Sequence, residues 1–348
     1  MNSLPVGKLD HSLLASLLKR YSAKLPSSVL YGPGIGLDAA VLRIGNQQFV
    51  WTTDPITFAS DRIGWYAVEI NANDVAVMGA TPAWMQVCLL LPPSDENQVD
   101  TIFKDLHQAA HARQIAIIGG HTEIMSDLDR PLIIASMAGL ATRTPNARDI
   151  QPGDHLIVTQ GVAIEGTAIL ARELPLSYFE KRLQDTTLSG IESNEDLISV
   201  IQSAANFLDS PGISVVKAAE IAVACHATAL HDPTEGGLLT GIWEMADAAQ
   251  QGVEVHIDKV PVFPESESLC DLCGIHVLRT LASGALLIAS SPRHTDELLE
   301  TLKQYSIPAT TIGHFTDQDR ICIRSGERFL LHPSAQDPLA TVFQTNLS

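Results

Sequence analysis

Apolar residues recur at helical spacing in residues 98–113, where Val99, Ile102, Phe103 and Leu106 share a face, and in residues 12–24, where Leu13, Leu14, Leu17 and Leu18 do the same. Residues 65–78 also read as a helix, with Pro82 placed to stop its continuation. Alternating or unbroken apolar runs predict strands at 39–44, 48–52, 83–91, 115–118 and 132–140, the fourth as a short buried strand leading into a glycine-rich loop. Gln151-Pro152-Gly153-Asp154 is a turn signal. Beyond it the pattern predicts strands at 156–159, 253–257, 284–289, 309–315 and 320–324, the last two closing the chain. Helices are expected at 164–172, 214–224, 238–250 and 294–305, with short helices and loops across the polar stretch 173–210. Strands and helices alternate on both sides of the turn, which predicts an α/β (α+β) fold in two domains, 1–150 and 151–348.

The composition suits such cores: 45% of the 348 residues are apolar. With 22 basic and 40 acidic residues the formal charge is −18, and no basic run or stripe interrupts it. That balance argues against nucleic acid and against anionic membrane surfaces as partners. No apolar run reaches the length of a membrane span. The first twenty residues carry no leader pattern, and five cysteines in a chain of this length fit a reducing cytoplasm. Cys270 and Cys273 form a lone C-x-x-C without a second ligand pair, so a structural role is expected of them.

Candidate chemistry concentrates in five segments: GPGIGLDAAVL at 32–42, TTDPITF at 52–58, GWYAVEINANDVAVMGATP at 64–82, IGGHTE at 118–123 and HDPTEGGL at 231–238. All but IGGHTE present an aspartate, and the last two put paired glycines beside a threonine and a carboxylate. Carboxylates repel phosphate but hold it through Mg²⁺, which takes one or two carboxylates together with phosphate oxygens. Backbone N–H groups of glycine-rich turns serve the same anion. Asp54 reads as a carboxylate at a strand exit, a common ligand position in α/β proteins. Asn71 and Asp74 fall one turn apart on a helix with few charges, placed to present an amide and a carboxylate to one metal or phosphate. Gly119, Gly120, Thr122 and Glu123 combine N–H donors, a hydroxyl and a carboxylate, and Asp232 with Gly236 opens a helix at an anion-binding terminus. Gly34 and Gly36 allow the loop before Asp38 to fold tightly over a ligand. His121, Glu123 and His231 are the candidates for moving protons. Together the segments suggest a Mg²⁺–nucleotide site.

In this order the five segments resemble the superfamily of aminoimidazole ribonucleotide synthetase, selenophosphate synthetase, thiamine-monophosphate kinase and the hydrogenase-maturation protein HypE. The stretch NDVAVMGATP at 73–82, HDPTEGGL and SGALL at 283–287 look most like HypE. The resemblance implies two α/β domains, the first (1–150) binding ATP and Mg²⁺ and dimerising, and a homodimer whose N-terminal sheets pair into a barrel. Carried over by motif, Asp38, Asp54 and Asp74 would be metal ligands, Gly119, Gly120, Thr122 and Glu123 would line the phosphate site, and Asp232 would approach it from the second domain. Leu37 stands where relatives often carry a second acid, which leaves one carboxylate fewer for metal. HypE ends in a Pro-Arg-Ile-Cys-type tail, whereas residues 343–348 read FQTNLS, so an acceptor other than such a cysteine is expected.

The reading is therefore an ATP- and Mg²⁺-dependent phosphoryl-transfer enzyme. It would activate an amide or carboxylate oxygen of a small-molecule or protein-borne acceptor, with a maturation protein as a further partner. Its rivals are a small-molecule kinase, such as one acting on thiamine monophosphate, and a non-catalytic nucleotide-binding scaffold.

Overall fold

The computed structural model describes residues 4, 7–21, 24–59, 61–185, 191, 193–334 and 336–344. Residues 22–23 of the expected first helix, 186–190 and 192 of the polar stretch, and 345–348 lie outside them. The chain divides into two compact units. One, the N-terminal unit, comprises Ala23–Pro33 and Leu37–Pro145; the other, the C-terminal unit, comprises Met1–Ser22, Gly34–Gly36 and Asn146–Ser348.

Helix α1 (His11–Tyr21) belongs to the C-terminal unit. The N-terminal unit then runs β1 (Val29–Tyr31), β2 (Ala40–Ile44), β3 (Gln47–Ile56), α2 (Ile63–Val77), β4 (Ala80–Leu91), α3 (Glu96–Ala112), β5 (Ala116–Ile124) and β6 (Leu132–Ala141). Its sheet has the order β1-β2-β3-β6-β4-β5 and is antiparallel except for the β4–β5 pair. Alternation along β3 sends Val50, Thr52 and Ile56 inward, and the core is completed by Ile133, Ala135 and Met137 of β6 and by Met85, Leu89 and Leu91 of β4.

α2 packs on that inner face and is buried on every side, Trp65 alone excepted. A helix apolar all round is a core helix, so the few polar groups it carries are interior groups, not a solvated stripe. Glu69 is held by a two-pronged ion pair with Arg113 at the end of α3, Nε to Oε1 at 3.1 Å and Nη2 to Oε2 at 2.6 Å. The helix ends at Gly79 and not at Pro82. The Gly79 N–H closes on the carbonyl of Ala76 at 2.8 Å, and Gly79 takes a φ of 80°. A Cβ there would meet the carbonyl oxygen of Arg143 at 2.2 Å. Pro82 lies inside β4, paired with Gly139.

Two further expectations change. β3 does not stop at residue 52 but runs on to Ile56, so Asp54 sits within a strand and not at its exit. β2 pairs with β3 only as far as Trp51, so one edge of β3 is open at Pro55 and can take a residue with no N–H. Residues 115–118 are not a buried strand feeding a loop. β5 continues through Ile124 as the sheet's edge, with every residue exposed. The glycines make this possible. The β4–β5 register shifts between Met85–Ile117 and Gln86–Gly119, and a Cβ on Gly120 would lie 1.9 Å from the carbonyl oxygen of Val87.

The C-terminal unit runs β7 (His155–Thr159), α4 (Ile164–Glu173), α5 (Leu176–Asp185), α6 (Asn194–Ala205), α7 (Val216–Ala224), β8 (Ala229–His231), α8 (Gly237–Ala249), β9 (Gly252–His256), α9 (Pro264–Cys273), β10 (Leu287–Ser290), α10 (Pro292–Gln304), β11 (Ala309–Thr316), β12 (Arg320–Arg324), β13 (Glu327–Leu330) and α11 (Pro338–Gln344). Its sheet, β13-β12-β9-β11-β7-β10-β8, is antiparallel except for β9–β12. β13 adds an exposed edge strand beyond the two expected at this end. Leu238, Leu239, Ile242 and Met245 of α8 pack on Leu156, Val158, Val255, Leu287 and Phe315 of the strands. Cys270 and Cys273 lie buried on α9, and burial pushes both thiols up to about 12. No helix among the described residues is long and apolar enough to cross a membrane.

Replacing Gly79 by Ala should destabilise the protein by about 2–4 kcal/mol, because the new Cβ is strained in φ and meets backbone. Urea unfolding followed by far-UV circular dichroism tests this; an unchanged midpoint would contradict it.

Candidate functional site

The candidate residues fall into three clusters, two in the N-terminal unit and one in the C-terminal unit. The first is built around Thr52. Its hydroxyl lies 2.8 Å from Oδ2 of Asp74 and 3.0 Å from the carbonyl oxygen of Asp38. Asn71 reaches back to the same strand: the Asp54 N–H donates to Asn71 Oδ1 at 3.2 Å, while Asn71 Nδ2 donates to the carbonyl of Ala67 at 3.0 Å. Asp74 and Asn71 are buried, and Asp38 and Asp54 are half-buried. The Asp74 carboxylate, the Asn71 amide and the backbones of Asp38 and Asp54 thus meet along β3. Thr52, the first residue of the TTDPITF segment, makes the link between Asp38 and Asp74.

The second cluster is β5. Strand alternation divides the Gly119–Glu123 motif. Gly120 and Thr122 pair with the inward residues Val87 and Leu89, whereas His121 and Glu123 pair with Cys88 and Leu90. Thr122 lines a cleft of about 460 Å³ with Val87, Leu89, Phe103 and His107. His121 Nε2 and Glu123 Oε2 are 3.3 Å apart and both side chains are well exposed. Gly119, Gly120 and His121 border the same cleft, on a strand that does not pair with β3. The ladder nonetheless relates the two clusters: Asp54 pairs with Ala135, Ala135 with Val87 and Val87 with Gly120. Asp54 and Gly120 lie on one row of the sheet, about 14 Å apart at three strand spacings.

The third cluster is the β8–α8 loop. His231 and Asp232 are buried at 5% and 1% exposure. Gly236 takes a left-handed φ of 81° ahead of the helix, and its N–H donates to Asp337 Oδ2 at 2.8 Å. An internal carboxylate thus already meets the Gly236 N–H at this helix start, where a bound anion was expected. Asp337 Oδ1 accepts a second N–H, from Leu339, at 2.8 Å. Burial outweighs these two donors and pushes the Asp337 carboxyl up to about 6. Lys8 ties the loop from the other side, Nζ to Thr234 Oγ1 at 3.0 Å and its backbone N–H to Glu235 Oε2 at 3.2 Å. Gly34–Gly36 folds with this unit; Gly36 takes a left-handed φ of 71°, and a Cβ on it would lie 2.8 Å from the carbonyl oxygen of Glu244.

Glu244 on α8 completes the cluster, and its motif-free surroundings hid it. Oε2 lies 3.1 Å from His231 Nε2, and Oε1 lies 2.9 Å from His11 Nε2. Burial would raise the Glu244 carboxyl, but hydrogen bonds from His11 and His231 overcome it and hold the group well below the ordinary carboxylate range. The hydrogen bond to Glu244 in turn raises His11. His11 and Glu244 are 233 residues apart in sequence, which no local pattern anticipates.

The chain is similar to known proteins in sequence and in fold. Sequence models of the AIR synthase related protein N-terminal and C-terminal domains match residues 36–141 and 151–324. A protein of Methanocaldococcus jannaschii named for hydrogenase expression and formation is 28% identical over 82% of this chain and 83% of its own length. The carbamoyl dehydratase HypE of Rhizobium leguminosarum bv. viciae is 22% identical over 83% of this chain and 79% of its own. The crystal structure of a hydrogenase maturation protein HypE in complex with ATP superposes with a TM-score of 0.68 at 21% identity, covering 95% of this chain and 96% of that one.

The His11–Glu244 pair has a defined pH signature. The Glu244 contribution to stability is complete above 4.5 and fades as pH falls through its lowered folded value. The His11 contribution is complete below 6.5 and fades as pH rises through its raised folded value. The unfolding free-energy difference between wild type and His11→Gln should therefore be largest between these two pH values and shrink on either side. Urea titrations across that range test it, and a difference independent of pH would refute the pairing.

Proposed function

Because the chain belongs to the AIR synthase related protein family, we propose that it is an ATP- and Mg²⁺-dependent phosphoryl-transfer enzyme of the HypE kind. It activates an amide or carboxylate oxygen of an acceptor as a leaving group. The observation that carries this reading is the buried Asp74 carboxylate held by the Thr52 hydroxyl, with the Asn71 amide one turn before it on α2 and bonded to the backbone at Asp54. Hard carboxylate and amide oxygens, brought together at the margin of a core, are the donor set that Mg²⁺ prefers. Mg²⁺ held there would neutralise phosphate charge in the transition state.

The chain's own groups divide the remaining work. Asp54, half-buried, and Asp38 present carboxylates, while Asp74 is oriented by the Thr52 hydroxyl and Asn71 by the backbone of Asp54 and Ala67. Gly119, Gly120 and Thr122 offer the edge strand and its cleft to the nucleotide. His231, buried and bonded to Glu244, is better placed to hold a proton at a defined atom than the exposed His121–Glu123 pair. Asp232 adds a buried carboxylate beside it. Acceptor chemistry on this chain's own sulfur finds no support at Cys270, Cys273 or Cys322, whose buried thiols are pushed up to between about 11 and about 12.

A homodimer, and a maturation protein as a further partner, belong to the same proposal. The sheet face opposite α2 is aromatic and open: Trp51, Trp84, Ile118 and Leu140 are 48%, 37%, 59% and 37% exposed, and Phe49 stacks on Trp84 at 6.1 Å. Such a patch on a sheet marks an interface, and pairing of two such faces is what a barrel across a dimer requires.

Calorimetry with ATP, with and without Mg²⁺, should give Mg²⁺-dependent binding that Asp74→Asn weakens by roughly tenfold or more. No binding in the wild type would sink the proposal. Binding without ADP release in the presence of candidate acceptors would favour the scaffold, and ADP release with a phosphorylated small molecule the kinase. Sedimentation should show a dimer that the double substitution Trp51→Glu, Trp84→Glu converts to a folded monomer. A wild type that is monomeric at micromolar concentration would remove the barrel.

A further inference from the structure

We propose that Glu244 is a positioning residue: its carboxylate, shared between His11 and His231, sets the orientation and tautomer of the His231 ring, and the segment from Lys8 to His11 braces it. The proposal rests on the reading of His231 as the group that carries a proton during phosphoryl transfer.

The geometry makes the assignment. An ionised carboxylate only accepts hydrogen bonds, so each imidazole meets Glu244 through an N–H at Nε2. In the neutral His231 ring the proton is then on Nε2 and Nδ1 is the basic nitrogen. This is the arrangement of a base oriented by a third group. The ring has little room to turn. A Cβ added to Gly241, one turn into α8, would lie 3.2 Å from His231 Cδ2, so the helix backbone itself backs the imidazole.

The second oxygen of Glu244 is what separates this from an ordinary buried pair. His11 takes it, and His11 is itself held edge-on against Trp243 with ring centroids 5.5 Å apart. Three residues earlier Lys8 bonds Thr234 and Glu235 of the loop that follows His231. The brace therefore grips both the orienting carboxylate and the loop it serves. With one oxygen engaged at each end the carboxylate cannot rotate to present a different edge to His231. Loss of His11 frees that rotation without removing the charge.

The test uses the whole protein and Mg·ATP with water as acceptor. Long-range ¹H–¹⁵N spectra should show His231 protonated at Nε2 in the wild type and a mixture of tautomers in Glu244→Gln, whose amide can accept from only one ring. kcat for Mg·ATP hydrolysis should fall about tenfold or more in Glu244→Gln while the Kd for Mg·ATP stays within about threefold. His11→Gln, which leaves the buried carboxylate in place and guards against a misfolded Glu244 variant, should give a smaller fall of about threefold. In a His231→Gln background Glu244→Gln should change the rate less than about twofold, because the carboxylate acts through the ring. Equal losses in both backgrounds, or a wild-type His231 protonated only at Nδ1, would overturn the proposal. If the wild type neither binds nor hydrolyses Mg·ATP, the ATP reading fails. The tautomer comparison between wild type, Glu244→Gln and His11→Gln still decides whether Glu244 sets the ring.

Discussion

A carboxylate on a helix that has no solvent face must be compensated from within the protein. Asp74 imposes that condition on the N-terminal unit. α2 is buried on nearly every side, and Asp74 meets it through the Thr52 hydroxyl of β3 while Asn71 binds the backbone at Asp54. The pairing ties α2 to the strand that carries Asp54 and to the backbone of Asp38. The polar cluster is thus part of the core's own geometry. A cation among these oxygens would use a site that packing has already assembled.

The C-terminal unit solves the same problem in another way. Glu244, His231 and Asp232 are interior or nearly so, and the compensation comes from segments distant in sequence. Lys8 and Asp337, far apart in sequence, both close on the β8–α8 loop, and His11 closes on Glu244 of α8. The start of α8 already has an acceptor in Asp337, so its dipole is spent on an internal group. Preorganisation of this loop therefore depends on segments far from it in sequence.

Motif reading located positions where backbone geometry or burial demands a residue type. The HDPTEGGL segment does hold a buried imidazole and a buried carboxylate, His231 and Asp232. The NDVAVMGATP segment does contain the helix end, although Gly79 rather than Pro82 makes it. The IGGHTE segment misled because paired glycines before polar residues look the same in a loop and in an edge strand. Here Gly120 is small because the Val87 backbone passes at contact distance in the neighbouring strand. Asp54 was displaced from strand exit to strand interior for a related reason: whether a neighbouring strand continues past a proline is not a local property.

By itself the sequence determined the alternating α/β class, the approximate helices and strands, and the family whose motifs it carries in order, because periodicity and motif spacing are written in local residue choices. Only the tertiary structure decided that α2 is an interior helix, that Thr52 links Asp38 to Asp74, and that Glu244 stands between His11 and His231. Those facts depend on strand order, register and the docking of distant segments, each a contact between residues tens or hundreds of positions apart. No pattern along the chain records which distant partner a buried polar group will find.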